Sequence, residues 1–311
     1  VKEVLEGLNW PPPGLPQYDM TGTTQEVITV QSTDGGKTWS QFAAEPLHTP
    51  MNGAYSGYVA LADGTVLRTT WGNYLPYYDV PRTGYVQRSM DGGATWGEPI
   101  VLMDPEGTVT LPKRARVLHD GRVVVVGGYI VLSPEVPTFR VGLSHIRTAI
   151  WLSSDGGKSF GPPIDVMTKD RAVELTEESD VCELPDGRLL VVTRTNVPDR
   201  WQAVLRPAGD SFEVESFGKA PFPHSGMPEA LTVSVGPGAG AALHVASSNI
   251  SWTTDAGVTW HDLGFGTEYY PSAAQLPDGR VFGAAHRGSD DPYNGTVDQQ
   301  ILGLTFRLVG E

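Results

Sequence analysis

Carboxylates, phenols and cations recur in this chain at a fixed distance from one kind of turn. Eight residues before an Asp-Gly turn stand Tyr55, Pro112, Glu178 and Tyr270, and Glu229 takes the equivalent place in a degenerate copy that turns at Gly236-Pro237-Gly238. Eight residues after the turn stand Trp71, Gly128, Arg194 and His286. Both sets lie at the open end of a hairpin, so each entry residue is expected beside its exit residue, Glu178 beside Arg194 above all. Such groups can do general acid–base chemistry. A phenol, with a pKa of about 10, is a competent nucleophile at neutral pH only when a carboxylate stands within hydrogen-bond reach. Two carboxylates, Glu178 with Glu229 or Asp79, would suit a glycosidase acting on a neutral or uronic sugar. The structural alternatives are a strand-end ion pair of Glu178 with Arg194, a core role for Tyr270, and a hydrogen-bonded strand end at His286.

The elements that must hold these residues are legible from two alternating motifs. Leu-x-Asp-Gly hairpins lie at 61–66, 118–123, 184–189 and 276–281. Between them come the turns Ser32 to Trp39, Ser89 to Trp96, Ser153 to Phe160, and Thr253 to Trp260. Self-similarity at roughly 40 to 65 residues per unit signifies a propeller or an array. The expectation is an all-β chain, a single six-bladed β-propeller over residues 1–311 with four-stranded antiparallel blades. The last blade, ending in Gln300 to Leu308, is one strand short, and Val4 to Leu8 would supply that strand and close the ring. No segment repeats apolar residues at helical spacing over three turns.

Composition agrees and excludes several classes. The chain has 37 Gly and 25 Pro, ample turn chemistry, and a hydrophobic content of 40%, enough for a core. A formal charge of −14 argues against nucleic-acid and anionic-membrane partners. No run of 18 apolar residues occurs, so no spanning helix is expected. The single cysteine, Cys182, excludes an intramolecular disulfide and reads as a buried small hydrophobe. No metal-site spacing, phosphate loop or dinucleotide fingerprint is present, so neither a metal nor another cofactor is expected.

The Ser-x-Asp-x-Gly-x-Thr-Trp turns resemble the Asp boxes of the sialidase (neuraminidase) superfamily. Asp34, Asp91, Asp155 and Asp255 are then structural, each bonded within its own turn. The resemblance extends to Glu178, the Glu183-Leu184-Pro185-Asp186-Gly187-Arg188 hairpin and Arg194 in the fourth blade. It extends also to Tyr270 before Leu276-Pro277-Asp278-Gly279 in the last. It implies an exo-acting, retaining glycoside hydrolase with a carbohydrate substrate. Tyr270 would be the nucleophile, Glu178 its base, and Arg194 one of three arginines on an anionic sugar.

An Asp in a first-blade loop would be the acid/base: Asp79, in a loop with Tyr74, Tyr77, Tyr78 and Arg82, or Asp19 by blade count. Tyr55, Trp71, Glu229 and His286 would line the same funnel. The chain departs from the family in lacking the Phe/Tyr-Arg-Ile-Pro signature and any Arg in 243–251. Arg194 alone allows a bidentate clamp and not a three-way one. Arg114, Arg116 and Arg287 are the candidates to replace the missing pair. The remaining alternative is a non-catalytic propeller that binds carbohydrate or protein.

Overall fold

The hairpins expected around the Asp-Gly turns are present as antiparallel ladders. The computed structural model describes residues 26–41, 43–46, 55–70, 83–105, 109–131, 145–166, 175–195, 198–223, 226–287 and 300–309. A two-stranded ladder comes first, β1 (Glu26–Thr29) with β2 (Ala43–Pro46). One four-stranded blade contains β3 (Tyr55–Ala60), β4 (Val66–Thr70), β5 (Tyr85–Ser89) and β6 (Ile100–Val101). The next contains β7 (Thr110–Val117), β8 (Val123–Val131), β9 (His145–Ser153) and β10 (Ile164–Asp165). It is followed by β11 (Leu175–Glu183), β12 (Leu189–Thr195), β13 (Asp199–Ala208) and β14 (Ser211–Pro223). Then come β15 (Glu229–Thr232), β16 (Ala242–Val245), β17 (Ile250–Thr253) and β18 (His261–Asp262). The last blade has three strands, β19 (Tyr269–Gln275), β20 (Val281–Arg287) and β21 (Gln300–Phe306).

The fold is therefore a β-propeller of five blades, not the six expected. The shortfall falls on the first unit, which has a Ser32 to Trp39 turn but no Asp-Gly hairpin, and forms only the β1–β2 ladder among the described residues. The strand expected at Val4 to Leu8 lies outside the described residues. No helix there is long and apolar enough to cross a membrane.

The core is laid down between blades. Val124, Val126 and Ile150 of one sheet face Val181, Leu189, Val191 and Leu205 of the next. Leu67 and Val86 likewise meet Val123, Val125 and Trp151, and Leu231, Leu243 and Ile250 meet Ala273 and Val281. Fully burying an aliphatic side chain stabilises by about 1.5–3 kcal/mol, so these layers, not the ladders, hold the ring together. Cys182 belongs to such a layer, where burial pushes its thiol up to about 12.

The Ser-x-Asp turns fasten one blade to its neighbour. In each, the Asp carboxylate accepts from the amide four residues on, as Asp155 Oδ1 does from Ser159 at 3.0 Å, and the first Ser or Thr hydroxyl accepts from a glycine amide. Bonds from Thr95 hold the Asp91 carboxyl at about 2, below its ordinary 3.8. The turn at Gly157 sits on Leu67 of the preceding blade, and the turn of the β1–β2 ladder sits on β20, with Trp39 and Phe282 rings 6.0 Å apart.

Two glycine substitutions separate turn conformation from blade packing. Gly157 and Gly121 both have positive φ, at 75° and 85°. A Cβ on Gly157 would come within 2.7 Å of Leu67, whereas one on Gly121 meets nothing within 4 Å. Gly121→Ala is expected to cost about 1–2 kcal/mol, the left-handed strain alone. Gly157→Ala adds about 1–3 kcal/mol of overpacking. Urea unfolding checks the order.

Candidate functional site

Glu178, Arg194 and Tyr270 meet at the open ends of the hairpins. The Tyr270 hydroxyl donates to Glu178 Oε1 at 2.6 Å. Arg194 Nη1 donates to Glu178 Oε2 at 2.5 Å and to the Tyr270 oxygen at 3.0 Å. The phenol oxygen thus gives its proton toward a carboxylate while accepting from a guanidinium. About a third of Tyr270 reaches solvent, but burial of its hydroxyl end, followed by the charge of Glu178, pushes its pKa far above the ordinary value. The tyrosine rests neutral, with its hydroxyl proton directed at Glu178. Burial works against the Arg194 cation, and Glu178 more than offsets it, raising its pKa.

The local backbone explains how a strand delivers Tyr270. Eight-and-eight pairing would set Tyr270 opposite His286, but Tyr269 pairs with His286 and the ladder shifts register before Ser272. Tyr270 has left the ladder with φ of 52°, one of two non-glycine residues at positive φ among those described. A bulky residue there is strained, and more so before Pro271, because proline disfavours helical conformations in its predecessor. Register shifts occur at the same end of β3, β7 and β11, between Tyr55 and Gly57, Pro112 and Arg114, and Leu175 and Ser179. Such bulges redirect side chains at the rim of a sheet. The Tyr270 ring is flanked by Tyr269, edge-on at 4.5 Å, and by His286, stacked at 5.9 Å. Gly226 lies against both tyrosine rings, where a Cβ would come within 3.0 Å of Tyr269 and 3.4 Å of Tyr270.

Beneath the triad the inner strands are joined by buried charges. Arg116, on β7, pairs with Asp180 on β11 and, at 2.7 Å, with Glu229 Oε1 on β15. Arg114 Nη2 lies 3.0 Å from Glu229 Oε2 and donates to the Pro271 carbonyl at 3.3 Å. Asp180 also accepts from the amides of Val181 and Ala230, each at 2.7 Å. Burial pushes the Asp180 carboxyl upward, and Arg116 opposes the shift. Burial disfavours the Arg116 cation, but Asp180 and Glu229 outweigh it and raise its pKa.

These contacts correct several expectations. Glu229 is buried and held by two arginines, so it does not face the funnel as half of a carboxylate pair. Arg114 and Arg116 are committed to Glu229 and Asp180, because the axis needs cations to neutralise them, and do not replace the missing clamp arginines. Arg287 turns to the rim, where its Nε donates to Glu268 at 3.0 Å. Tyr55 is described only through its backbone, paired with Thr70. Trp71, Asp79 and Asp19 lie outside the described residues. Two residues enter that the spacing argument missed. Asp180 stands two residues after Glu178 on β11, on the same side of the strand by the period of two, which is the signal that could have found it. Arg200, fully buried on β13, donates to the Gly226 carbonyl at 3.2 Å; burial pulls its guanidinium down to about 9, with Glu178 opposing.

No protein-family model matches the chain. It is similar to a sialidase of Bacteroides fragilis (strain YCH46), 25% identical over 241 residues. That match spans 67% of this chain but only 41% of the relative. Among solved structures, a protein of unknown function from Dyadobacter fermentans DSM 18053 superposes with a TM-score of 0.65 at 21% identity, over 89% of this chain and 82% of that one. The GH93 α-L-arabinofuranosidase of Fusarium graminearum, in complex with arabinobiose, gives 0.63 at 15% identity, over 90% and 84%. The chain thus shares its β-propeller fold with these proteins.

The axial charges carry a stability prediction. Removing one member of a buried ion pair costs about 3–5 kcal/mol because the partner is left charged in a poorly solvated place. Arg116→Met is expected to lose stability on that scale in urea unfolding, and Arg116→Met with Asp180→Asn distinctly less. Equal loss in both would mean that packing, not charge, is what Arg116 supplies.

Proposed function

We propose that the chain is a retaining, exo-acting glycoside hydrolase of the sialidase type, with Tyr270 as nucleophile, Glu178 as its base and Arg194 as the cation beside both. The observation that carries this reading is the 2.6 Å hydrogen bond from the Tyr270 hydroxyl to Glu178, with Arg194 on the same phenol oxygen. A neutral phenol beside an ionised carboxylate carries little charge until it attacks, so the negative charge appears only as the sugar acquires positive charge. We read the Ser-x-Asp turns as Asp boxes, in keeping with this family.

In the first step Glu178 takes the phenol proton and the Tyr270 oxygen bonds to the anomeric carbon. The glycosidic C–O bond breaks, and its electron pair leaves with the aglycone oxygen, which takes a proton from Asp79 or Asp19. In the second step a water gives its proton to that Asp and its oxygen displaces Tyr270. The phenolate then recovers its proton from Glu178. Two inversions give net retention, with a tyrosine in the place that a carboxylate takes in most glycosidases.

A second reading concerns the sugar. The alternative to the carboxylate of a sialoside, which Arg194 beside Tyr270 would meet, is an uncharged sugar such as an arabinofuranoside. Aryl sialosides and aryl α-L-arabinofuranosides distinguish the two. Tyr270→Phe is expected to lower kcat on whichever is cleaved by at least about a thousand-fold, and Glu178→Gln by about 100 to 10,000-fold, the range for a general base. Unchanged turnover in Tyr270→Phe would remove the tyrosine mechanism. No turnover by wild type of any glycoside would leave the sugar-binding propeller as the better account.

A further inference from the structure

The geometry points to Arg114 as a positioning residue that holds Tyr270 in its bulged, left-handed conformation against Glu178, working through the Pro271 carbonyl and anchored by Glu229. This inference rests on the tyrosine–glutamate reading of the site. It concerns how the pair is held.

The strand end at Tyr270 does not hold itself. Its conformation is unfavourable for a bulky residue preceding proline, and the ladder to β20 is interrupted there, so the backbone must be fixed from the other side. Arg114 supplies that contact. Its Nη2 reaches the Pro271 carbonyl at 3.3 Å, one residue beyond the nucleophile, while lying 3.0 Å from Glu229 Oε2. Glu229 is only 1% exposed and is fixed in turn by Arg116, which bonds Asp180. Asp180 stands two residues after Glu178 on β11. The chain of contacts Asp180, Arg116, Glu229, Arg114, Pro271 therefore joins the strand that carries the base to the strand that carries the nucleophile. It crosses β7 and β15 on the way, with no member charged and unpaired. The Arg114–Glu229 link is an ion pair without a directed hydrogen bond, while Arg114 to Pro271 and Arg116 to Glu229 are hydrogen-bonded; such contacts set a distance better than apolar packing, which tolerates sliding. A misplacement of about 1 Å at a reacting group costs about a hundred-fold in rate.

Removing Arg114 alone would strand Glu229, so the test uses the charge-balanced double variant Arg114→Met with Glu229→Gln. Two readouts are taken: steady-state kinetics on the glycoside that wild type cleaves, and the phenol carbon resonance of Tyr270 in protein labelled at tyrosine, assigned with Tyr270→Phe. The expected result is a kcat lower by about a hundred-fold with KM within about threefold, because Arg114 does not touch the sugar. The Tyr270 resonance should move to the position it takes in Glu178→Gln. Arg114→Lys, whose ammonium ends about one bond short of the Nη2 position that touches both Glu229 and Pro271, should fall between wild type and the double variant in both readouts. It decides the matter if the double variant does not fold. A folded variant with wild-type kcat and an unmoved Tyr270 resonance would overturn the inference. If Tyr270→Phe proves fully active, the mechanism is wrong, and the resonance alone still decides whether Arg114 places the tyrosine.

Discussion

The constraint on which the rest of the site depends is the filling of the propeller axis with charge. Five inner strands converge there, and two of their side chains, Asp180 and Glu229, are carboxylates with almost no access to water. Two arginines from β7 make the set neutral. Apolar side chains of the same volume would hold the axis at least as well, since desolvation consumes much of what a buried ion pair gains. What the charges add is geometry. Each guanidinium has a fixed set of directions, and those directions tie β7 to β11, β15 and β19 at one level of the axis.

Above that level the strands are released from their ladders. Four inner strands shift register at the same end, and Glu178 and Tyr270 come from those irregular ends, while Arg194 comes from the end of β12. The division of labour follows from the physics of each region. Apolar layers between blades fix the ring, the charged axis fixes the relative height of the inner strands, and the bulges spend local strain on aiming Tyr270 at Glu178. Arg200 and Gly226 bear on the other side of the same tyrosine, one through a carbonyl and the other by having no side chain.

Much of this was legible in the residues. The hairpins could be read because Asp-Gly turns are local chemistry: the Asp side chain, the glycine at positive φ and the flanking strands are set within six residues. The meeting of Glu178, Arg194 and Tyr270 followed from placing those hairpins around one axis. The failures have separate causes. Arg114 and Arg116 were offered as clamp cations because nothing near them in sequence shows the carboxylates of β11 and β15 with which they pair. Glu229 was misassigned for the complementary reason, its partners lying on other blades. The count of six blades failed because the first unit has the turn motif of a blade without its second hairpin. Asp180 and Arg200 were passed over because each is one charge among several in its strand, and its meaning comes from partners far away in sequence.

The central claim is that Tyr270 forms a bond to sugar. The most direct measurement is mass spectrometry of peptides from protein denatured during turnover of a fluorinated glycoside, which slows release of a covalent intermediate. The account predicts one added glycosyl group on the peptide that contains Tyr270, absent in Tyr270→Phe. A glycosyl group on Glu178, or rapid turnover with no adduct on Tyr270, would contradict it.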